Sequence, residues 1–130
     1  MASFSPTDQI RSFPYALTGT SSTDVYTVGD QGESAAWLIG VVVVDPTGSV
    51  STTAKVGVYR GSTEYRLSPN ATGKPSTTDN LEIICEPALY LKRSDEVRVT
   101  GASGHHVWTT VALIGVDVST AAQFGSGGGR

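Results

Sequence analysis

The chain has 130 residues, a single cysteine and a formal net charge of −3, with only 16% of its residues charged. That length supports one domain with a real core but not two, and nine scattered Lys and Arg residues make no basic stripe able to neutralise a run of phosphates. Nucleic acid is therefore not an expected partner, an intrachain disulfide is excluded, and the longest apolar run, Ala35 to Val44, falls far short of the ~20 residues of a membrane-spanning helix.

Ser and Thr together number 31, and Val (15) outnumbers Leu (7), a bias toward β-branched side chains that suits a pleated surface. Residues 1–12 mix Ser, Pro, Thr, Asp and Arg without periodicity and are expected to form an N-terminal arm. The start, Met-Ala-Ser-Phe-Ser, lacks the basic and apolar regions of a secretory signal, so synthesis in the cytoplasm is expected. Residues 13–118 read as one domain of about eight strands: Tyr15 to Thr18, Asp24 to Val28, Ser34 to Asp45, Ser49 to Arg60, Thr63 to Leu67, Leu81 to Cys85, Asp95 to Thr100 and His105 to Val118. No segment has a helical period. Residues 119–130, ending in Phe124-Gly125-Ser126-Gly127-Gly128-Gly129-Arg130, are expected to form a Gly-rich tail held by neighbours.

Turn chemistry separates the strands. Asp45-Pro46-Thr47-Gly48, Arg60-Gly61-Ser62 and Gly101-Ala102-Ser103-Gly104 predict tight connections between antiparallel neighbours. Ser68 to Asn80 is polar, carries Pro69, Gly73 and Pro75, and is the expected long exposed loop. Val56 and Val58 alternate with Lys55, Gly57 and Tyr59, and Val97 and Val99 with Glu96, Arg98 and Thr100, as in strands buried on one side. Ala35 to Asp45 differs. Trp37, Ile39, Val41 and Val43 are expected on one side and Ala36, Leu38, Val42 and Val44 on the other, so neither face suits water. One face fits a core and the other needs a cover, most simply a neighbouring subunit. The predicted fold is an all-β, antiparallel two-layer β-sandwich, of jelly-roll or Ig-like order, without significant helix.

Catalytic or metal chemistry finds little to work with. His105 and His106 are adjacent at a strand start, where successive side chains point to opposite faces, and a Gly-flanked solvated turn is the better reading than a shared metal. Asp30 and Glu33 flank Gln31-Gly32, which reads as a solvated turn before a Ca²⁺ site. Cys85 follows two isoleucines with no cation beside it, the setting of a buried, inert thiol. Asn70-Ala71-Thr72 matches a glycosylation acceptor, discounted without a secretory signal. No catalytic residue, metal or cofactor is expected. Trp37 and Trp108 sit inside apolar strands and are read as core or subunit-interface residues before a sugar-stacking platform.

Val25-Tyr26-Thr27-Val28, then Trp37-Leu38-Ile39-Gly40-Val41-Val42-Val43-Val44 running into Asp45-Pro46-Thr47-Gly48, are followed by Ala54-Lys55-Val56-Gly57-Val58-Tyr59, Leu81-Glu82-Ile83, Leu89-Tyr90-Leu91 and Asp95-Glu96-Val97-Arg98-Val99. In this order they resemble the small β-sandwich virion proteins of tailed bacteriophages that attach to heads or to tail and fibre parts. Those proteins usually carry Gly where this chain has Ser94, a position expected to need positive φ. The resemblance implies a non-enzymatic virion component, a head decoration (cement) protein that stabilises contacts between major capsid subunits. A tail, neck or fibre subunit and a carbohydrate-binding module are the alternatives. It further implies a homo-oligomer, a trimer among its forms, bound to major capsid protein or another virion protein. Phe4, Phe13, Trp37, Val42, Val44, Trp108 and Phe124 are the candidate interface residues.

Overall fold

The computed structural model describes residues 9–48, 52–69 and 73–116. They form eight strands: β1 (Gln9–Ala16), β2 (Thr23–Thr27), β3 (Ala35–Val44), β4 (Lys55–Arg60), β5 (Thr63–Arg66), β6 (Leu81–Lys92), β7 (Glu96–Thr100) and β8 (His106–Ile114). Two four-stranded sheets result, in the orders β1-β8-β3-β6 and β2-β7-β4-β5, with every pairing antiparallel. β1 pairs with β8, β2 with β7, β3 with β6 and β4 with β5. It is as if one long hairpin, with β4–β5 at its tip, had been rolled up. This is jelly-roll order, and it decides between the two orders expected.

The rolled hairpin corrects two of the three predicted turns. Gly61-Ser62 does join neighbours, since Arg60 pairs with Thr63 across it and Gly61 takes φ 66°. Asp45–Gly48 and Gly101–Gly104 instead carry the chain from one sheet to the other. Local turn chemistry bends the backbone at both, with Gly48 N–H bonding Asp45 O at 3.2 Å and His105 N–H bonding Ala102 O at 3.1 Å. Which strand the chain meets next is decided by packing of the two layers, which turn residues do not encode.

The core lies between the layers. Val56, Val58, Val97 and Val99 of one sheet oppose Leu38, Val41, Val43, Leu81, Leu91, Val107, Val111 and Leu113 of the other. Each buried aliphatic side chain contributes about 1.5–3 kcal/mol. The half-buried alternation read for β4 and β7 holds, with Val56, Val97 and Val99 fully enclosed. Gln9–Ser12, expected in the arm, belong to β1.

The faces of β3 need correction. Ala36 and Leu38 are buried, and so are Val41 and Val43, so the inward residues change from even to odd numbers within one strand. The cause is a bulge. Both pairings of β3 step from Leu38 to Gly40, and the extra residue, Ile39, reverses the phase of everything after it. Gly40 is the residue the bulge requires, because a Cβ there would lie 2.8 Å from the Ile83 carbonyl oxygen. β6 also runs farther than expected, through Cys85–Ala88 to Lys92, against an interruption between its pairs Gly40–Ile84 and Leu38–Leu89.

Candidate functional site

With the phase of β3 reversed, Trp37, Val42 and Val44 share the outer face of the β1-β8-β3-β6 sheet. Strand pairing arranges that face in rows. Ile10, Ala112, Trp37 and Tyr90 form the first; Ser12, Thr110, Gly40 and Ile84 the second; Pro14, Trp108, Val42 and Glu82 the third; Ala16, His106 and Val44 the fourth. A further row, Ile114, Ala35 and Lys92, borders the first, so Glu82, His106 and Lys92 are the acid and bases of these rows. Large apolar groups there stand in solvent: Ile84 is 74% exposed, Ile10 60%, Tyr90 53% and Trp108 47%. Trp37 packs edge-on to Tyr90, with ring centroids 5.4 Å apart. On this outward face Ala112 has no exposed surface at all, enclosed in the first row between larger side chains.

The outer face of the other sheet has the opposite chemistry. Asp24, Arg98, Gly57 and Arg66 make one row and Thr27, Glu96, Tyr59 and Glu64 the next, with Lys55 opposite Thr100. Arg98 Nε donates to Glu96 at 2.6 Å, and the Arg98 guanidinium lies over the Tyr59 ring, 4.6 Å from its centroid. Charged, mutually paired residues are what a sheet carries when it faces water. Four strands ~4.8 Å apart and about nine residues long at ~3.3 Å each give the apolar face a footprint of about 19 Å by about 30 Å. That is of the order of the ~800 Å² per partner that a standard protein interface buries, and far beyond scattered exposed side chains.

Of the expected interface residues, Trp37, Val42, Val44 and Trp108 come together here. Phe13 does not. Its ring faces inward and stacks on Tyr26, with centroids 5.5 Å and planes 9° apart, closing the side of the sandwich where β1 lies over β2. Phe4 and Phe124 lie outside the described residues, as do Asn70-Ala71-Thr72. Ile10, Ile84 and Tyr90, not among the expected residues, lie on the same face. Ile10 was assigned to the arm, while Ile84, following Glu82 by two, carried a readable signal of an outward apolar position.

The ionisable groups singled out in the sequence serve the fold. His105 is fully buried, not solvated, while His106 is exposed, as alternation requires. The His105 Nδ1 accepts the Ala102 N–H at 3.2 Å, and a Cβ on Gly101 would lie 2.6 Å from that nitrogen, so glycine makes room for the ring. Burial pushes the imidazole below its ordinary pKa, against a smaller opposing pull from Asp45. Glu33 is also fully buried rather than in a solvated turn. Its carboxylate accepts the Tyr26 hydroxyl and the Gln31 N–H at 2.8 Å. Burial, then the bond to Glu33, raises the Tyr26 hydroxyl well above its usual range. Cys85 is half-buried, and desolvation raises its thiol pKa, which disfavours the nucleophilic thiolate. No three of His, Cys, Asp or Glu cluster to hold a metal among the described residues.

The fold is similar to that of the PRD1 vertex protein P5, with a TM-score of 0.50 and 17% sequence identity over 83% of this chain and 97% of that one. No protein-family model matches the chain, and no curated protein matches it.

Proposed function

We propose that this chain is a non-enzymatic phage virion structural protein, most specifically a capsid decoration protein. It docks through the outer face of the β1-β8-β3-β6 sheet. The observation that carries the reading is the contrast between the two outer faces. One is charged and internally paired; the other sets Ile10, Trp37, Ile84, Tyr90 and Trp108 in a nearly uncharged field. A face of that chemistry gains by leaving water, and its few charges, Glu82 and Lys92 among them, let it meet either a capsid subunit or another copy of itself with little like-charge repulsion. The fold it shares with a virion vertex protein points the same way. The partners are other virion proteins and further copies in a homo-oligomer, and the location is the virion.

Purified particles of the phage that encodes the chain provide the test. The protein should be present in many copies, and Trp108→Glu combined with Ile84→Glu should abolish incorporation while circular dichroism stays native. Arg66→Glu, on the charged face, should incorporate normally. Absence of the protein from particles, or incorporation of the double variant at wild-type level, would rule the proposal out.

A carbohydrate-binding module is the second reading, favoured by the exposure of Trp108 and Tyr90. Sugar stacking also needs hydrogen-bonding groups around the ring, and the neighbours here are mostly aliphatic. Calorimetric titration with a panel of glycans separates the two readings.

A further inference from the structure

Among the paired residues of β6, two carry charge on the apolar face, and they stand at its two ends. Lys92 lies in the row of Ala35 and Ile114, and Glu82 in the row of Val42 and Trp108, three rows farther along the same edge strand. At two residues per row and ~3.3 Å per residue they are about 20 Å apart, too far to pair with each other. Both are exposed, and neither side chain forms an ion pair among the described residues. Between them the face is uneven in height. The first row carries Ile10, Trp37 and Tyr90, while the second has Ser12 and, where the bulge falls, Gly40 with no side chain.

We infer, on the reading of this face as a docking surface, that its occupant is a second copy of the chain, packed face to face about a two-fold axis that crosses the strands midway between the first and second rows. Such an axis lays each strand over its own counterpart running the opposite way, so the order of rows in one copy is reversed over the other. Lys92 then falls over Glu82 of the second copy, and Glu82 over Lys92 of the second copy, which gives two symmetric ion pairs at the rim. In the middle, Trp37 meets Gly40 and Ile10 meets Ser12, large side chains against small ones, as the interdigitation of stacked sheets requires. Tyr90 covers Ile84, which a lone molecule leaves 74% exposed. Four of the five rows of each copy coincide, so most of a footprint of standard interface size leaves water. A two-fold axis along the strands does worse, because it sets β6 over β1 and Glu82 over Pro14, with no counter-charge. The match of charge and size needs no feature from outside this chain.

Sedimentation equilibrium of the full-length protein across the micromolar range tests this, with circular dichroism to show that each variant is folded. The wild type should sediment as two chains. Glu82→Lys and Lys92→Glu each place like charges at both rim contacts, and each should weaken the dimer by about tenfold. Mixed in equal amounts, the two variants should form a heterodimer of wild-type affinity, because every contact then joins opposite charges. Both reversals in one chain should restore the homodimer for the same reason. A monomeric wild type, single reversals without effect, or no recovery on mixing or combination would overturn the inference. A monomeric wild type whose Trp108→Glu, Ile84→Glu variant is still lost from particles leaves the face as a docking surface for a capsid subunit and removes only the second copy. Normal incorporation of that double variant removes the docking surface itself.

Discussion

Arg60 and Asp95 form a forked ion pair that joins three elements. Arg60 Nε lies 3.1 and 3.0 Å from the two Asp95 carboxylate oxygens, and Nη2 is 2.6 Å from Oδ2. The carboxylate is almost fully enclosed, whereas the guanidinium side chain is 43% exposed. Asp95 Oδ2 also accepts the Lys92 N–H at 2.9 Å, and the Asp95 carbonyl accepts the Val28 N–H at 3.0 Å. One residue thus ties the end of β4 to the β6–β7 turn and to the exit of β2. The Arg60 pKa rises, chiefly through the hydrogen bond to Asp95.

Asp95→Asn keeps the shape and removes the charge. It should lower stability by about 2 kcal/mol, the scale of a hydrogen bond to a charged group at a buried acceptor, as read by urea unfolding with an unchanged m-value. A loss below ~0.5 kcal/mol would mean that the backbone turn alone holds the junction.

Ser94 has φ 74°, the left-handed conformation that the sequence led one to expect at this position. A Cβ costs roughly 1–2 kcal/mol there, partly offset by the unfolded-state entropy that glycine restores. Ser94→Gly should therefore stabilise the protein by about 0.5–1 kcal/mol, raising the thermal midpoint. The Ser94 N–H bond to Val28 O, 3.0 Å, is unaffected because it is made by the backbone.

His105 makes stability depend on pH. Burial lowers its folded-state pKa, so the unfolded chain, titrating near 6.5, binds the proton more readily. The stabilisation is complete above about pH 6.5 and is lost as pH falls through the folded value, at up to ~1.4 kcal/mol per pH unit. Protonation would also remove the acceptor that Nδ1 offers to Ala102 N–H. Urea midpoints between pH 7.5 and pH 5 should fall in the wild type, and the part due to this group should vanish in His105→Gln while persisting in His106→Gln.

Thr109 faces the core from β8 with its side chain fully buried, and its Oγ1 has no hydrogen-bond partner among the described residues. Thr109→Val keeps the shape and removes the unpaired hydroxyl. A gain of about 1 kcal/mol in unfolding free energy is expected; a loss of that size would mean that the hydroxyl is satisfied in solution.

The strands buried on one face were the legible part of this fold. Val56, Val58, Val97 and Val99 announce their strands because a single alternation carries both the conformation and the side facing the core. β3 was legible as a strand but not in its faces. A bulge leaves no mark in a run where Trp37 through Val44 are all apolar except Gly40, and the glycine that permits it could equally have been a packing residue. β6 was ended at Cys85, just before Glu86-Pro87, yet an edge strand tolerates proline where its N–H would point to solvent. The apolar outer face was half visible. Trp37, Val42, Val44 and Trp108 were expected at an interface, but their grouping with Ile10 and Tyr90 depends on β8 and β3 lying side by side, a long-range pairing that no local pattern specifies.

The bulge in β3 gives that strand something like a reading frame. Trp37 and Val42 differ by an odd number of positions, and a regular strand would send them to opposite sides; they look outward together only because Ile39 is counted in. A single deletion between them would make every residue from Val41 to Val44 trade inside for outside, turning Val42 and Val44 into the layer gap and emptying the places of Val41 and Val43. Swapping one apolar side chain for another in β3 is thus a modest event, while losing one residue rewrites half of the central strand at once. Length is therefore the most constrained property of this segment, more than the chemistry of any one position in it.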